Sequence, residues 1–161
     1  MDEKLTHVDK DGRARMVDVG DKPVTRRVAI AEGRVSMSAE AFRQLEENRL
    51  AKGDALAVAR LAGIQAAKRT SDWVPLCHSI PLNEVVVDFV LDADTSAVVV
   101  TGRASADWTT GVEMEALVAV SAACLAIYDM TKAVDRGVEI GGVHLLEKSG
   151  GRSGHWTRSP L

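Results

Sequence analysis

Asp129 and Lys132 stand three residues apart at the end of a long apolar run, a spacing that puts a carboxylate and an ammonium on one helix face. Such a pair is either a solvated ion pair at a helix end or a coupled acid/base pair facing a cleft. Pro75-Leu76-Cys77-His78 forms a second cluster, on a loop punctuated by Pro75 and Pro81. His78 there is either a hydrogen-bonded loop histidine or one that touches a ligand, and the tetrapeptide alone leaves both open. A Cys–His nucleophile pair is disfavoured, because adjacent side chains rarely point at each other. A zinc site is disfavoured too, since His7, Cys77, His78, Cys124, His144 and His155 lack the usual paired-ligand spacings. Lys148-Ser149-Gly150-Gly151-Arg152-Ser153-Gly154 sets flexible backbone amides between two cations, a composition suited to phosphate, although it lacks the Walker spacing. Lys52 and Lys68 sit at predicted helix ends, where a cation ordinarily complements the dipole. Glu113 fits a capping box with Thr110, whereas Glu115 has no local partner. Several cations, one histidine and carboxylates at both ends of one helix suit an anionic, phosphorylated ligand.

The element that must position most of these groups is a central helix spanning 109–137. Residues 116–128 are apolar or small except Ser121, the pattern of a helix packed on several sides. Its small-residue face, Ala119, Ser121, Ala122, Ala123 and Ala126, suits close packing against another element. Before it, VTRRVAIAEGRVSM places Val28 and Ile30 ahead of Gly33, and Val35 and Met37 after it, which predicts a strand interrupted by a turn or bulge. Ser38 caps a short helix carrying Phe42 and Leu45. Asp54 caps another, with Leu56, Leu61 and Ile64 on its apolar side and Gly63 permitting a close backbone approach. Two β-branched runs joined by DADTS predict a hairpin, and VEIGGVHLLEK a last strand with a bulge at Gly141-Gly142. The order strand, two helices, strand, strand, helix, strand is that of an α+β protein: a ferredoxin-like antiparallel sheet with helices on one face and one extra helix.

A chain of 161 residues reads as a single domain, with a mobile N-terminal arm over 1–23 and a flexible tail over 149–161. Twenty basic against 23 acidic side chains give a net charge of −3, so no long-range field draws nucleic acid. The polar N-terminus is unlike a secretory signal, and no apolar stretch of membrane-spanning length lacks a charge, which points to a cytoplasmic protein without a membrane partner. Two cysteines exclude a disulfide framework.

The runs RMVDV, KGD, AGIQAAKRT, PLCH, TGVEMEAL, YDMTKAVD and EKSGGRSG together resemble the molybdenum cofactor biosynthesis protein C family, the cyclic pyranopterin monophosphate synthases. The resemblance covers nearly the whole chain, and TGVEMEAL followed at fixed distance by YDMxKA, with PLCH, is specific. It implies a homohexamer built as a trimer of dimers with active sites at subunit interfaces. It also implies conversion of 3′,8-cyclo-7,8-dihydro-GTP to cyclic pyranopterin monophosphate with loss of pyrophosphate. Asp129 matches the family's catalytic aspartate and Lys132 the lysine beside it. Leu76, Cys77 and His78 match one substrate-contacting segment, and Met114 and Glu115 the other. Lys52, Lys68 and Lys148 match basic positions near the triphosphate. No resident cofactor or protein-bound metal is implied, only magnesium as a companion of the triphosphate. Ser79 and Thr109 depart from the pattern, standing where proline and a basic residue are frequent. The rival reading is a non-enzymatic oligomeric module that binds a nucleotide or pterin.

Overall fold

The computed structural model describes residues 8, 9 and 11–159. The arm expected over 1–23 lies partly outside them, at 1–7 and 10, as do His7 and the last two tail residues. Strand β1 (Thr25–Ser36) lies between β3 (Ala97–Trp108) and β4 (Glu139–Ser149), with β2 (Glu84–Asp92) outside β3 and the short β5 (Trp156–Thr157) outside β4. All pairings are antiparallel, in the order β2-β3-β1-β4-β5. This is the expected α+β arrangement, consistent with a ferredoxin-like fold. Helices α1 (Ala39–Glu46), α2 (Ala55–Ala67), α3 (Thr70–Trp73) and α4 (Glu113–Thr131) complete it.

Helix α4 packs on β1, β3, β4 and α2, which is why its sequence is apolar all round. It is long and apolar enough to cross a membrane, yet most of it is buried inside this fold. The start of α4 differs from the predicted one. The helix begins at Glu113 with Val112 at the cap and no side-chain cap bond, so the Thr110–Glu113 capping box does not form. The Glu113 carboxylate instead meets the Lys148 ammonium of β4 at 3.0 Å, a charged partner that outcompetes a backbone amide.

Strand β1 also differs. It is continuous over twelve residues, and its buried phase is the small one, Ala29, Ala31, Gly33 and Val35, while Val28 and Ile30 are only half-buried on the other face. The irregularity belongs to β4, whose register against β1 slips between Ile30 and Ala31 and again between Glu32 and Arg34, the second slip falling opposite Gly141–His144. On α2, Ser38 and Asp54 cap as predicted for α1 and α2, but Leu61 is 69% exposed. The buried stripe is Ala55, Ala59, Gly63, Ala66 and Ala67. The reason is the close approach expected at Gly63: a Cβ there would stand 2.8 Å from the Ala119 carbonyl oxygen and 3.4 Å from the Ala123 methyl. No leucine fits between backbones that near. The second helix, expected to run to Thr70, ends at Ala67, and the loop expected over 71–83 opens with most of the single helical turn of α3 before the PLCH segment.

Candidate active site

At the N-terminal end of α4 a cavity of about 440 Å³ collects the two segments that the sequence singles out. Leu76, Cys77 and His78 line it together with Met114 and Glu115, and Glu113, Thr110 and Gly111 form part of its wall. Because α4 has no side-chain cap, the free amide donors of its first turn belong to this end of the molecule. Glu115 is 3% exposed, and burial, with a small push from Glu113, raises its carboxyl to about 7. An acid of that strength can give or take a proton near neutral pH. The Cys77 thiol is pushed up by burial and by Glu115, so it stays neutral and is a poor nucleophile. Cys124 lies in the core with its thiol pushed up to about 11 by burial; it serves packing. His78 Nε2 meets the Val17 carbonyl oxygen at 2.8 Å.

A second cavity of about 470 Å³ adjoins the first and shares Lys22, Thr110 and Gly111 with it. Arg27 and Arg152 add two more cations. Arg27 is held by the Trp108 carbonyl at 3.3 Å and the Thr109 carbonyl at 3.2 Å. Gly151 (φ +71°) lets the 150–154 loop lie against that guanidinium, since a Cβ there would collide with it. Lys148 stands beside the loop, bonded to Ser153 Oγ at 2.9 Å and paired with Glu113. The glycine-rich segment is therefore one wall of a cationic hollow, and β5 returns it to the sheet at Glu147 and Lys148. Thr109, the position without the frequent basic residue, lines this hollow, with the Arg27 side chain bonded to its carbonyl.

The other end of α4 carries Asp129. Its carboxylate is gripped by Lys132 Nζ at 2.7 Å and Lys52 Nζ at 2.6 Å, and Lys52 also donates to the Asp129 carbonyl at 3.0 Å. The KGD turn before α2 thus supplies the second cation. Lys132 and then Lys52 hold the Asp129 carboxyl down to about 2, and the same contact raises Lys132. All three side chains are about half exposed, with 53% for Asp129. Asp129 is an ionised, weakly basic anion here, and Lys132 an ammonium.

These groups do not all meet within one chain. Glu115 and Asp129 are fourteen residues apart on one helix, about 21 Å along its axis. Lys68, exposed at the end of α2, lines neither cavity. Sequence reasoning missed Lys22 and Arg27. The large apolar residues Val28 and Ile30 pointed to the other face of β1 as core, and only the observed burial of Ala29 and Ala31 puts Arg27 in the core-facing phase. Lys22 follows the turn Val19–Lys22 in a stretch without periodicity, and no local pattern marks it.

The sequence model described as the MoaC family matches residues 16–151. A protein named cyclic pyranopterin monophosphate synthase from Cereibacter sphaeroides (strain KD131 / KCTC 12085) is 56% identical over 155 residues, which cover 96% of this chain and 98% of that one. Proteins of the same name from Thermomicrobium roseum and Heliobacterium modesticaldum are each 54% identical, covering 96% of this chain and 93% and 97% of theirs. The family model's span takes in residues 16–19 of RMVDV, the loop cluster, both ends of α4 and the glycine-rich wall as far as Gly151, and the chain belongs to the MoaC family.

Proposed function

We propose that this chain is a cyclic pyranopterin monophosphate synthase of molybdenum cofactor biosynthesis, a lyase converting 3′,8-cyclo-7,8-dihydro-GTP to cyclic pyranopterin monophosphate and pyrophosphate. The observation that carries the reading is the pair of adjoining cavities: one holds Leu76, Cys77, His78, Met114 and the near-neutral acid Glu115, the other the cations Lys22, Arg27 and Arg152. The first suits a heterocycle that must exchange protons, and the second a triphosphate. In the closing step a sugar hydroxyl attacks the innermost phosphorus, its proton passes to a base, and the bond to pyrophosphate breaks. The cations around the second cavity, with Lys148, offset the charge that grows on the departing pyrophosphate.

Asp129 and Lys132 handle protons as a coupled unit. Lys132 gives the proton and takes it back, and the Asp129 anion aims it and offsets its charge. Their distance from Glu115 along α4 supports an active site made by two subunits, Asp129, Lys132 and Lys52 coming from one and the cavities from another. We propose that this takes place in a homohexamer arranged as a trimer of dimers, and that assembly also carries Lys68 toward the phosphates. The reaction needs no resident cofactor, and magnesium enters only on the triphosphate. Its compartment is the cytoplasm.

The test is to supply the cyclised nucleotide and measure pyrophosphate and pterin product for the native protein and Asp129→Ala. Native turnover with a loss of at least about 10²-fold in the variant is expected. Equal turnover by both, or none by the native protein, overturns the reading.

A further inference from the structure

RMVDV, residues 15–19, is the one recurrent run that the reaction above does not use. Val17, Val19 and Lys22 line the first cavity with Leu76, Cys77 and His78, so this stretch lies as a strap against the PLCH loop. Val17 brings its carbonyl to 2.8 Å from His78 Nε2. A carbonyl oxygen only accepts, so Nε2 must carry the hydrogen. In the neutral ring Nδ1 then keeps its lone pair, and no described residue bonds it. The strap is shaped by two turns directly after Val17: the Asp18 carboxylate accepts the Gly20 N–H at 2.9 Å, and the Lys22 N–H reaches the Val19 carbonyl at 3.1 Å. An aspartate bonded to the backbone two residues on is an Asx turn, which fixes local chain direction without any contact to the core.

We infer that RMVDV is a positioning strap for His78, in which the Val17 carbonyl holds the imidazole in its Nε2–H form and Asp18 holds the turn that presents that carbonyl. His78 lines the cavity, so Nδ1 is the nitrogen left for a ligand, and it meets that ligand as an acceptor. It would take a hydrogen bond, and then a proton, from a hydroxyl or ring N–H of the substrate. That last step rests on the proposed reaction, whereas the state of the ring does not.

The experiment is nitrogen NMR of the full-length protein with labelled histidine, the His78 signals being assigned by their loss in His78→Gln. A protonated Nε2 and a bare Nδ1 are expected in the native protein and in Asp18→Asn, which keeps an acceptor oxygen. Asp18→Ala should give a mixture of both ring forms, with kcat on the cyclised nucleotide about tenfold lower and KM within about twofold. A native ring protonated on Nδ1 overturns the inference whether or not Asp18→Ala folds, and so does an Asp18→Ala protein with the native ring signals and native kcat. The two readings fail separately. A chain with the Nε2–H ring but no turnover keeps the strap and loses the reaction, and turnover with an Nδ1–H ring does the reverse.

Discussion

Glu115 is where the chemistry of the site has a measurable thermodynamic consequence. Burial holds its proton on up to about pH 7, against 4.5 for an ordinary glutamate. The folded state therefore binds that proton more tightly than the unfolded chain. The resulting stability is fully present below the ordinary value and disappears as pH rises through about 7, and a shift of this size is worth about 3 kcal/mol. Asp129 acts in the opposite sense: lowered to about 2 by Lys132 and Lys52, its pairs support the fold above the usual carboxylate range and fade only as pH falls through about 2. Glu115→Gln keeps the shape of the protonated acid and never ionises. Thermal unfolding at about pH 5 and about pH 8 should show the native protein losing stability between them and the variant losing much less. The variant should be the more stable of the two at the higher pH. Its turnover should fall, and equal pH slopes for both proteins would mean Glu115 is not buried as described. Glu113 makes a smaller prediction. It occupies the Lys148 ammonium in a pair about a quarter exposed, so Glu113→Gln should tighten inorganic pyrophosphate binding about twofold by calorimetry.

Among the elements, α2 and α4 are held closer than their sequences advertise. Alanine is the better helix former by about 1 kcal/mol, yet at Gly63 its methyl would meet the Ala119 carbonyl at 2.8 Å, and backbone does not swing aside as a side chain does. Overpacking of this kind costs about 1–3 kcal/mol, so Gly63→Ala should lower the urea midpoint in spite of its helix propensity. A raised midpoint would mean the two helices stand farther apart. This same closeness explains which element-scale expectations held. The element order, the hairpin, the Ser38 and Asp54 caps and the β4 bulge follow from local signals, and all are present. Leu61 and the Val28–Ile30 phase were read as core because large apolar residues usually are. Here the core faces of α2 and β1 are built mostly from alanine and glycine, since α4 approaches closely at Gly33 and Gly63. The capping box failed for another reason: Lys148, 35 residues downstream, claims the Glu113 carboxylate, and a partner supplied by another strand leaves no local trace.

For the whole molecule the decisive fact is that one continuous helix carries titratable groups at both of its ends. The sequence showed both clusters, and the long apolar run between them put them at opposite ends of one helix. What it could not show was that no bend or loop returns one end to the other, because that depends on α4 being packed along its length on three strands and α2. A rigid separation of about 21 Å is too long for any side chain to bridge. If catalysis needs His78 and Asp129 together, they must come from different copies of the chain. His78→Ala and Asp129→Ala should each be inactive alone. Co-expressed and purified as mixed assemblies, they should recover activity, because some sites then take the intact cavity from the Asp129→Ala chain and the intact aspartate from the His78→Ala chain. Random mixing of the two copies would make about a quarter of two-subunit sites complete, so up to about a quarter of native turnover is the expected ceiling. Each variant should keep the assembly state of the native protein by light scattering, which separates lost chemistry from lost association. Mixed assemblies shown to contain both chains yet remaining inactive would place the whole reaction within a single chain, and Asp129 would then be a structural anchor for Lys52 and Lys132.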